Sequence, residues 1–136
     1  METAERFEID DAKYVALTTY AEDGTARTTP VWVAGSAGRY FVVTSAASHK
    51  VKRLRRDPRV EVAVSDARGR IAEGAPIYRG TARLLEGPER HPAVEAVRRK
   101  YGLMAKLLPV MARLRRQSPD TVGIEITLDG AASEGS

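Results

Sequence analysis

Lys50, Lys52, Arg53, Arg55 and Arg56 stand close together with no acid among them. They follow a stretch that changes character. Phe41-Val42-Val43-Thr44 is apolar and β-branched, the pattern of a buried strand end, and Ser45-Ala46-Ala47-Ser48 is small and polar. Ser48 can serve as a helix N-cap, its oxygen accepting one of the free backbone N–H groups. A strand that runs through small residues into a basic helix suits a phosphate. The first N–H groups of the helix point outward unpaired, and the helix dipole favours an anion there. Lys50 falls in the first turn, within reach of the same anion. The competing reading is a solvated basic face whose long stems cover apolar surface.

Other chemistries are poorly supplied. There is no cysteine, which excludes a disulfide framework, a thiolate metal site and a cysteine nucleophile. It fits a reducing cytoplasm, the expected location. His49 and His91 are the only imidazoles, so no metal site is expected. Glu61, Asp66 and Glu73 form no recognisable acid–base pair, and no catalytic residue is assigned. Tyr78 and Tyr101 read as core rather than as proton donors, as does the stripe containing Met104 and Met111. The net charge of +4 and the pI near 9.6 suit an anionic partner. Nucleic acid is not expected, because single-strand binding wants aromatics among the cations and residues 48–58 contain none. The acidic start of the chain is no signal peptide, and no apolar run approaches the ~20 residues that cross a bilayer, so no membrane partner is expected.

The elements that must position these residues follow in order. A short helix is expected within residues 3–12. Tyr14 to Tyr20 is a strand, Glu22-Asp23-Gly24 a hairpin turn, and Thr25 to Ala34 the returning strand. Pro30 inside it marks an edge, a bulge or a place where something else meets the strand. Gly35 to Gly38 is a second turn and Arg39 to Thr44 the third strand, followed by the basic helix at about 48–56. Val60 to Val64 alternates as a fourth strand. A polar connection follows, with a short strand near Ile71. Ile77 to Leu85 is the fifth strand, with a bulge expected at Gly80. Pro92 can open a helix. An apolar stripe through Val94, Val97, Tyr101, Met104, Leu108 and Met111 is interrupted at Gly102 and Pro109. Val122 to Leu128 is the last strand, and 129–136 reads as a frayed tail. Six short strands with inserted helices predict one mainly β domain over residues 1–136, a small and mostly antiparallel barrel.

Several fragments carry a resemblance. They are Tyr14-Val15-Ala16-Leu17-Thr18-Thr19, Asp23-Gly24, Thr28-Thr29-Pro30-Val31-Trp32, Thr44, Ser48-His49-Lys50-Val51-Lys52-Arg53-Leu54 and Asp57-Pro58-Arg59-Val60. In order and spacing they resemble the actinobacterial flavin and deazaflavin oxidoreductases, the split β-barrel relatives of pyridoxamine-phosphate oxidase. The match is close over about residues 14–64. Tyr78-Arg79-Gly80-Thr81-Ala82 and Lys100-Tyr101-Gly102 fit more loosely.

The resemblance implies a six-stranded split barrel and a homodimer with the cofactor in a groove between subunits. It lays Thr28, Thr29, Pro30, Val31 and Trp32 along a flavin-like ring. It sets Thr44, Ser45, Ser48 and Lys50 at the phosphate end, with Arg53 and Arg56 as further anion contacts. Trp32 flanks the ring or is a barrel-core aromatic. The chain lacks the basic, histidine-containing C-terminal segment that pyridoxamine-phosphate oxidases use for their substrate, so that substrate is not expected. The cationic run exceeds what the single phosphate of FMN needs. Coenzyme F420, with a phosphodiester and a glutamate tail, suits it better, and FMN is the alternative. The implied activity is hydride transfer from reduced F420 to a small conjugated acceptor, with the segment from Lys100 to Pro109 bordering the substrate. A non-catalytic carrier of the same anion is the other reading, since hydride chemistry belongs to the cofactor and leaves little side-chain signature.

Overall fold

A computed structural model describes residues 8–101 and 121–129. Seven strands form one antiparallel sheet: β1 (Tyr14–Tyr20), β2 (Ala26–Trp32), β3 (Ala34–Ser36), β4 (Arg39–Ser45), β5 (Arg59–Ser65), β6 (Tyr78–Leu85) and β7 (Thr121–Leu128). Among the described residues two α-helices accompany them, α1 (His49–Arg56) and α2 (His91–Tyr101), together with 3-10 turns at Glu8–Asp11 and Gly87–Arg90. Of the short helix expected within residues 3–12, the described part is a 3-10 turn at Glu8–Asp11, and residues 3–7 lie outside the described residues. No described helix is long and apolar enough to cross a membrane.

The strand order is β2-β1-β5-β6-β7-β4-β3. This order alone dictates the shape. β2 and β3 are the two edges of the sheet, yet only Val33 separates them in the chain. One residue cannot cross the width of a flat sheet, since neighbouring strands lie ~4.8 Å apart. The sheet therefore curls until its edges meet, which is the split-barrel architecture expected. The count is seven rather than six because the returning strand breaks at this seam.

Alternation sorts the side chains. Val15, Leu17, Val31, Val33, Tyr40, Val42, Val60, Val62, Ile124, Ile126 and Leu128 point inward and form the main core, joined by Leu54 of α1 and by Ile9. On the outer side, Phe41 and Leu85 pack against Ala93 of α2, while Ala34 packs with Val97 and Tyr101. Helix α2 buries Ala93, Val97 and Tyr101 and leaves Val94 partly exposed. The continuation of its stripe at Met104, Leu108 and Met111, the breaks at Gly102 and Pro109, and the tail beyond Asp129 lie outside the described residues.

Two local expectations need correcting. Gly80 is no bulge, for it stays in register with Val60 on one side and Leu128 on the other. Its glycine is required by close approach, because a Cβ there would collide with the Thr127 carbonyl. Ser48 does stand at the N-cap of α1 with an extended backbone, but its side chain makes no capping bond. Pro30 does mark an edge: β2 ends the sheet, and no described strand pairs with its second side. The short strand near Ile71 is a single bridge to Ser65.

Candidate functional site

The basic helix presents two unlike faces. Val51 and Leu54 are buried, while Lys50 and Arg53 sit half-buried beside them. Lys50 Nζ donates to Thr44 Oγ1 at 3.3 Å, and Arg53 Nε donates to Thr19 Oγ1 at 2.6 Å. Both partners are neutral hydroxyls. Among the described residues no carboxylate pairs with Lys50, Arg53 or Arg56. By contrast Arg55, on the same helix, pairs with Glu86 at 2.6 Å, and Arg59 just after it pairs with Asp57 at 2.7 Å.

The unpaired cations feel one another. Burial, and then the neighbouring Arg53, hold the Lys50 ammonium below the usual lysine range. Burial likewise lowers Arg53, followed by repulsion from Arg27 and Arg56. Arg27 belongs to β2 and stands opposite Thr19 in the ladder. It was not singled out from sequence, and neither was Thr19. The signal was available: the hairpin about Asp23-Gly24 fixes the register that sets the two side by side, but α1 had to be docked before their relation to Arg53 appeared.

Ser48 adds the one buried side-chain oxygen that has no hydrogen-bond partner among the described residues. Such a group costs roughly 1–3 kcal/mol if left unpaired. Ser45 is exposed, and its Oγ accepts the Ala47 N–H at 3.2 Å. Thr44, Ser45, Ser48, Lys50 and Arg53 thus gather about the start of α1, with Arg56 a turn further on. An unsatisfied hydroxyl and a hydroxyl–ammonium pair at the helix N-terminus, with the guanidinium groups of Arg53 and Arg56 in its last turn, can together take an extended anion.

The second group, Thr28 to Trp32, is distributed differently. Thr28 is exposed on the outer face and shares a 2.8 Å hydrogen bond with Thr18. Val31 is in the core, with Thr29 on its side of the strand. Pro30 meets the turn after β5, where Gly69 adopts φ +84° and a Cβ would stand 3.3 Å from the proline ring. Asp66 holds that turn by accepting the N–H groups of Arg68 and Arg70, both at 2.9 Å.

Trp32 stacks on Tyr101, with ring centroids 5.0 Å apart and planes 21° from parallel. Tyr14 meets it edge-on. One face of the indole is therefore already covered by protein. Tyr101 is a core residue, 1 % exposed, as expected. Arg27 and Trp32 occupy opposite ends of β2, about 16 Å apart at ~3.3 Å per residue. The structure joins the helix cluster to the Arg27 end of this strand and leaves Trp32 at the other.

Comparison with known proteins places this arrangement. A conserved hypothetical protein of Mycobacterium tuberculosis is 27% identical, with a TM-score of 0.65 over 88% of this chain and 74% of that one. A structure described as an F420 reductase is 17% identical, with a TM-score of 0.60 over 88% and 89% of the two chains. HutZ, the heme storage protein of Vibrio cholerae, is 13% identical, with a TM-score of 0.64 over 88% and 83%. The last two likenesses are of fold alone. No curated protein matches the chain. The family model for pyridoxamine 5'-phosphate oxidase matches residues 1–133, nearly the whole chain, and so this protein belongs to the pyridoxamine 5'-phosphate oxidase family.

Proposed function

We propose that this protein is an oxidoreductase that binds a flavin-type cofactor, and specifically the deazaflavin F420, by its anionic end. One observation carries the reading. Arg27, Lys50, Arg53 and Arg56 gather from two elements and repel one another, with no carboxylate among the described residues to pair Lys50, Arg53 or Arg56. Lys50 to Arg56 spans about 9 Å of helix at 1.5 Å per residue, longer than one phosphate covers. A ligand with a phosphodiester and trailing carboxylates suits the whole track.

The residues fit such a group. The unpartnered Ser48 hydroxyl, Thr44 and Lys50 suit the phosphate. Arg53, Arg56 and Arg27 suit the negative charges beyond it. Ser45 flanks the phosphate position. The free edge of β2 from Thr28 to Trp32 offers backbone donors and acceptors to a planar ring. The chemistry such a cofactor supplies when bound is hydride transfer to a small conjugated acceptor. The chain itself binds, orients and shields, and much of the acceleration then comes from positioning. The proton that follows the hydride is assigned to solvent. A second copy of the chain closes the groove, so light scattering should give twice the 14.9 kDa of one chain; a monomer with full affinity would remove the shared groove.

FMN is the second reading, favoured by the compactness of the Thr44, Ser48 and Lys50 subsite. Titration of the purified protein with F420 and with FMN decides between them. F420 should bind more tightly, and its affinity should fall with added salt because the contacts are ionic. If FMN copurifies and F420 does not bind, the deazaflavin assignment is wrong while the family stands. If neither binds, the oxidoreductase reading is wrong.

A further inference from the structure

We propose that Lys100 and Tyr101 are positioning residues for the cofactor strand: they buckle the start of β1 to Val33, the residue between the two edges of the sheet, and thereby fix Trp32. This rests on the reading that β2 carries the cofactor ring.

Val33 is the only residue between β2 and β3, and it passes from one edge of the sheet to the other. Side chains take up its polar backbone groups. The Val33 N–H donates to Tyr101 Oη at 3.2 Å, and Tyr101 Oη lies 2.6 Å from the Val33 carbonyl. The same hydroxyl lies 2.8 Å from the Lys13 carbonyl. Lys100 Nζ donates to the Val33 carbonyl at 2.9 Å and also reaches the carbonyl of Ala12. Two consecutive residues of α2 thus tie the start of β1 to the seam. The Tyr101 ring meanwhile supports the indole of Trp32 at 5.0 Å, and Tyr14 abuts it from another side. Trp32 is the last residue of β2, so any slack at Val33 moves the indole and the backbone beside it. Tyr101 is buried and Lys100 half-buried, so these bonds are shielded from competing solvent.

The arrangement also explains why adjacent residues of opposite character stand at this point of α2. The phenol can both donate and accept, which a seam residue with a free N–H and a free C=O requires. The ammonium supplies donors only, which two carbonyls from different segments require. An apolar residue at 101 would leave the N–H of buried Val33 unpaired, and one at 100 would remove a donor shared by the Val33 and Ala12 carbonyls.

Trp32 is the only tryptophan of the chain, so its emission reports the buckle directly. Y101F keeps the stacked ring and removes the hydroxyl; K100M keeps the stem and removes the charge. L85A opens a cavity at a buried position that packs with Phe41 and Ala93 rather than with Tyr101 or Trp32, and serves as the control for mere destabilisation. Each variant is compared with the wild type by thermal melting, by Trp32 emission and by affinity for F420 and FMN. The expected result is a shifted Trp32 emission and a five- to twentyfold loss of cofactor affinity in Y101F and K100M. L85A should keep affinity within twofold at an equal or larger loss of melting temperature. Wild-type affinity in both buckle variants overturns the proposal, as does an equal loss in L85A. If Y101F does not fold, K100M alone decides on the same criteria. If the wild type binds neither cofactor, the reading of β2 as the ring strand fails and this inference with it. Binding by the wild type that the variants retain removes the inference alone.

Discussion

The two ends of β2 are built on opposite principles. At the Val33 end every polar group named above has a partner: the seam N–H, the seam carbonyl, the Tyr101 hydroxyl and the Lys100 ammonium. At the Arg27 end the helix leaves Ser48 Oγ without a partner and brings cations together that raise one another's cost. Unpaired buried groups and gathered like charges lower stability. A fold that satisfies one end of a strand so fully could have placed acids at the other, as it does for Arg55 and Arg59. The difference separates what holds the barrel from what awaits a ligand.

The comparison breaks most visibly at the satisfied end. Y101A removes a large side chain that is 1 % exposed and should cost about 3–5 kcal/mol of stability. Chemical denaturation measures it, and a cost near zero would mean the seam is not held as described. At the other end, K50A should cost about 1.5–3 kcal/mol of cofactor affinity and leave the stability of the ligand-free protein unchanged or slightly raised. Titration and denaturation of the same variant test the two halves separately. A Lys50 variant that loses stability without losing affinity would merge the two regions into one kind.

The smallest effect is in the pH dependence. Burial and Arg53 hold Lys50 below its ordinary value of 10.5. Between the folded and the unfolded value the unfolded chain carries more protons, so Lys50 contributes a stability that rises with pH in that window. Anion affinity runs the other way, falling as the ammonium is lost on the same rise. The difference between wild type and K50A in each profile isolates this group, and two slopes of the same sign would contradict the assignment.

Much of this was legible in the sequence, and what was missed shares one cause. Strands such as Tyr14–Tyr20 and Arg39–Ser45 announce themselves by runs of β-branched and aromatic residues, buried on both faces at their centres. The basic helix and the Asp23-Gly24 turn are likewise local. The β2–β3 seam was invisible because Val33 is as apolar as its neighbours; only the strand order reveals that the chain changes edges there. Gly80 could have been a bulge or a close approach, and the pattern within one strand is the same for both. Whether the Ser48 hydroxyl caps α1 depends on its side-chain rotamer in the assembled fold, and the meaning of Arg27 on where α1 docks. The stack of Trp32 on Tyr101 joins residues far apart in the chain. Local periodicity reports burial, whereas partnership requires the assembled fold.

The seam also sets where this chain can change length. An extra residue in the turn at Asp23-Gly24 lengthens a loop whose tip is exposed and costs little. An extra residue beside Val33 has no loop to enter. Side chains alternate along β2 and β3, so it would exchange the inward and outward faces of everything after it in β3, or else force a bulge where two edges must touch. It would also move the backbone groups that Tyr101 and Lys100 hold. Relatives of this protein should therefore differ freely in length at the first hairpin and scarcely at all across Trp32-Val33-Ala34, and a circularly permuted chain opened at the hairpin should fold where one opened at Val33 does not.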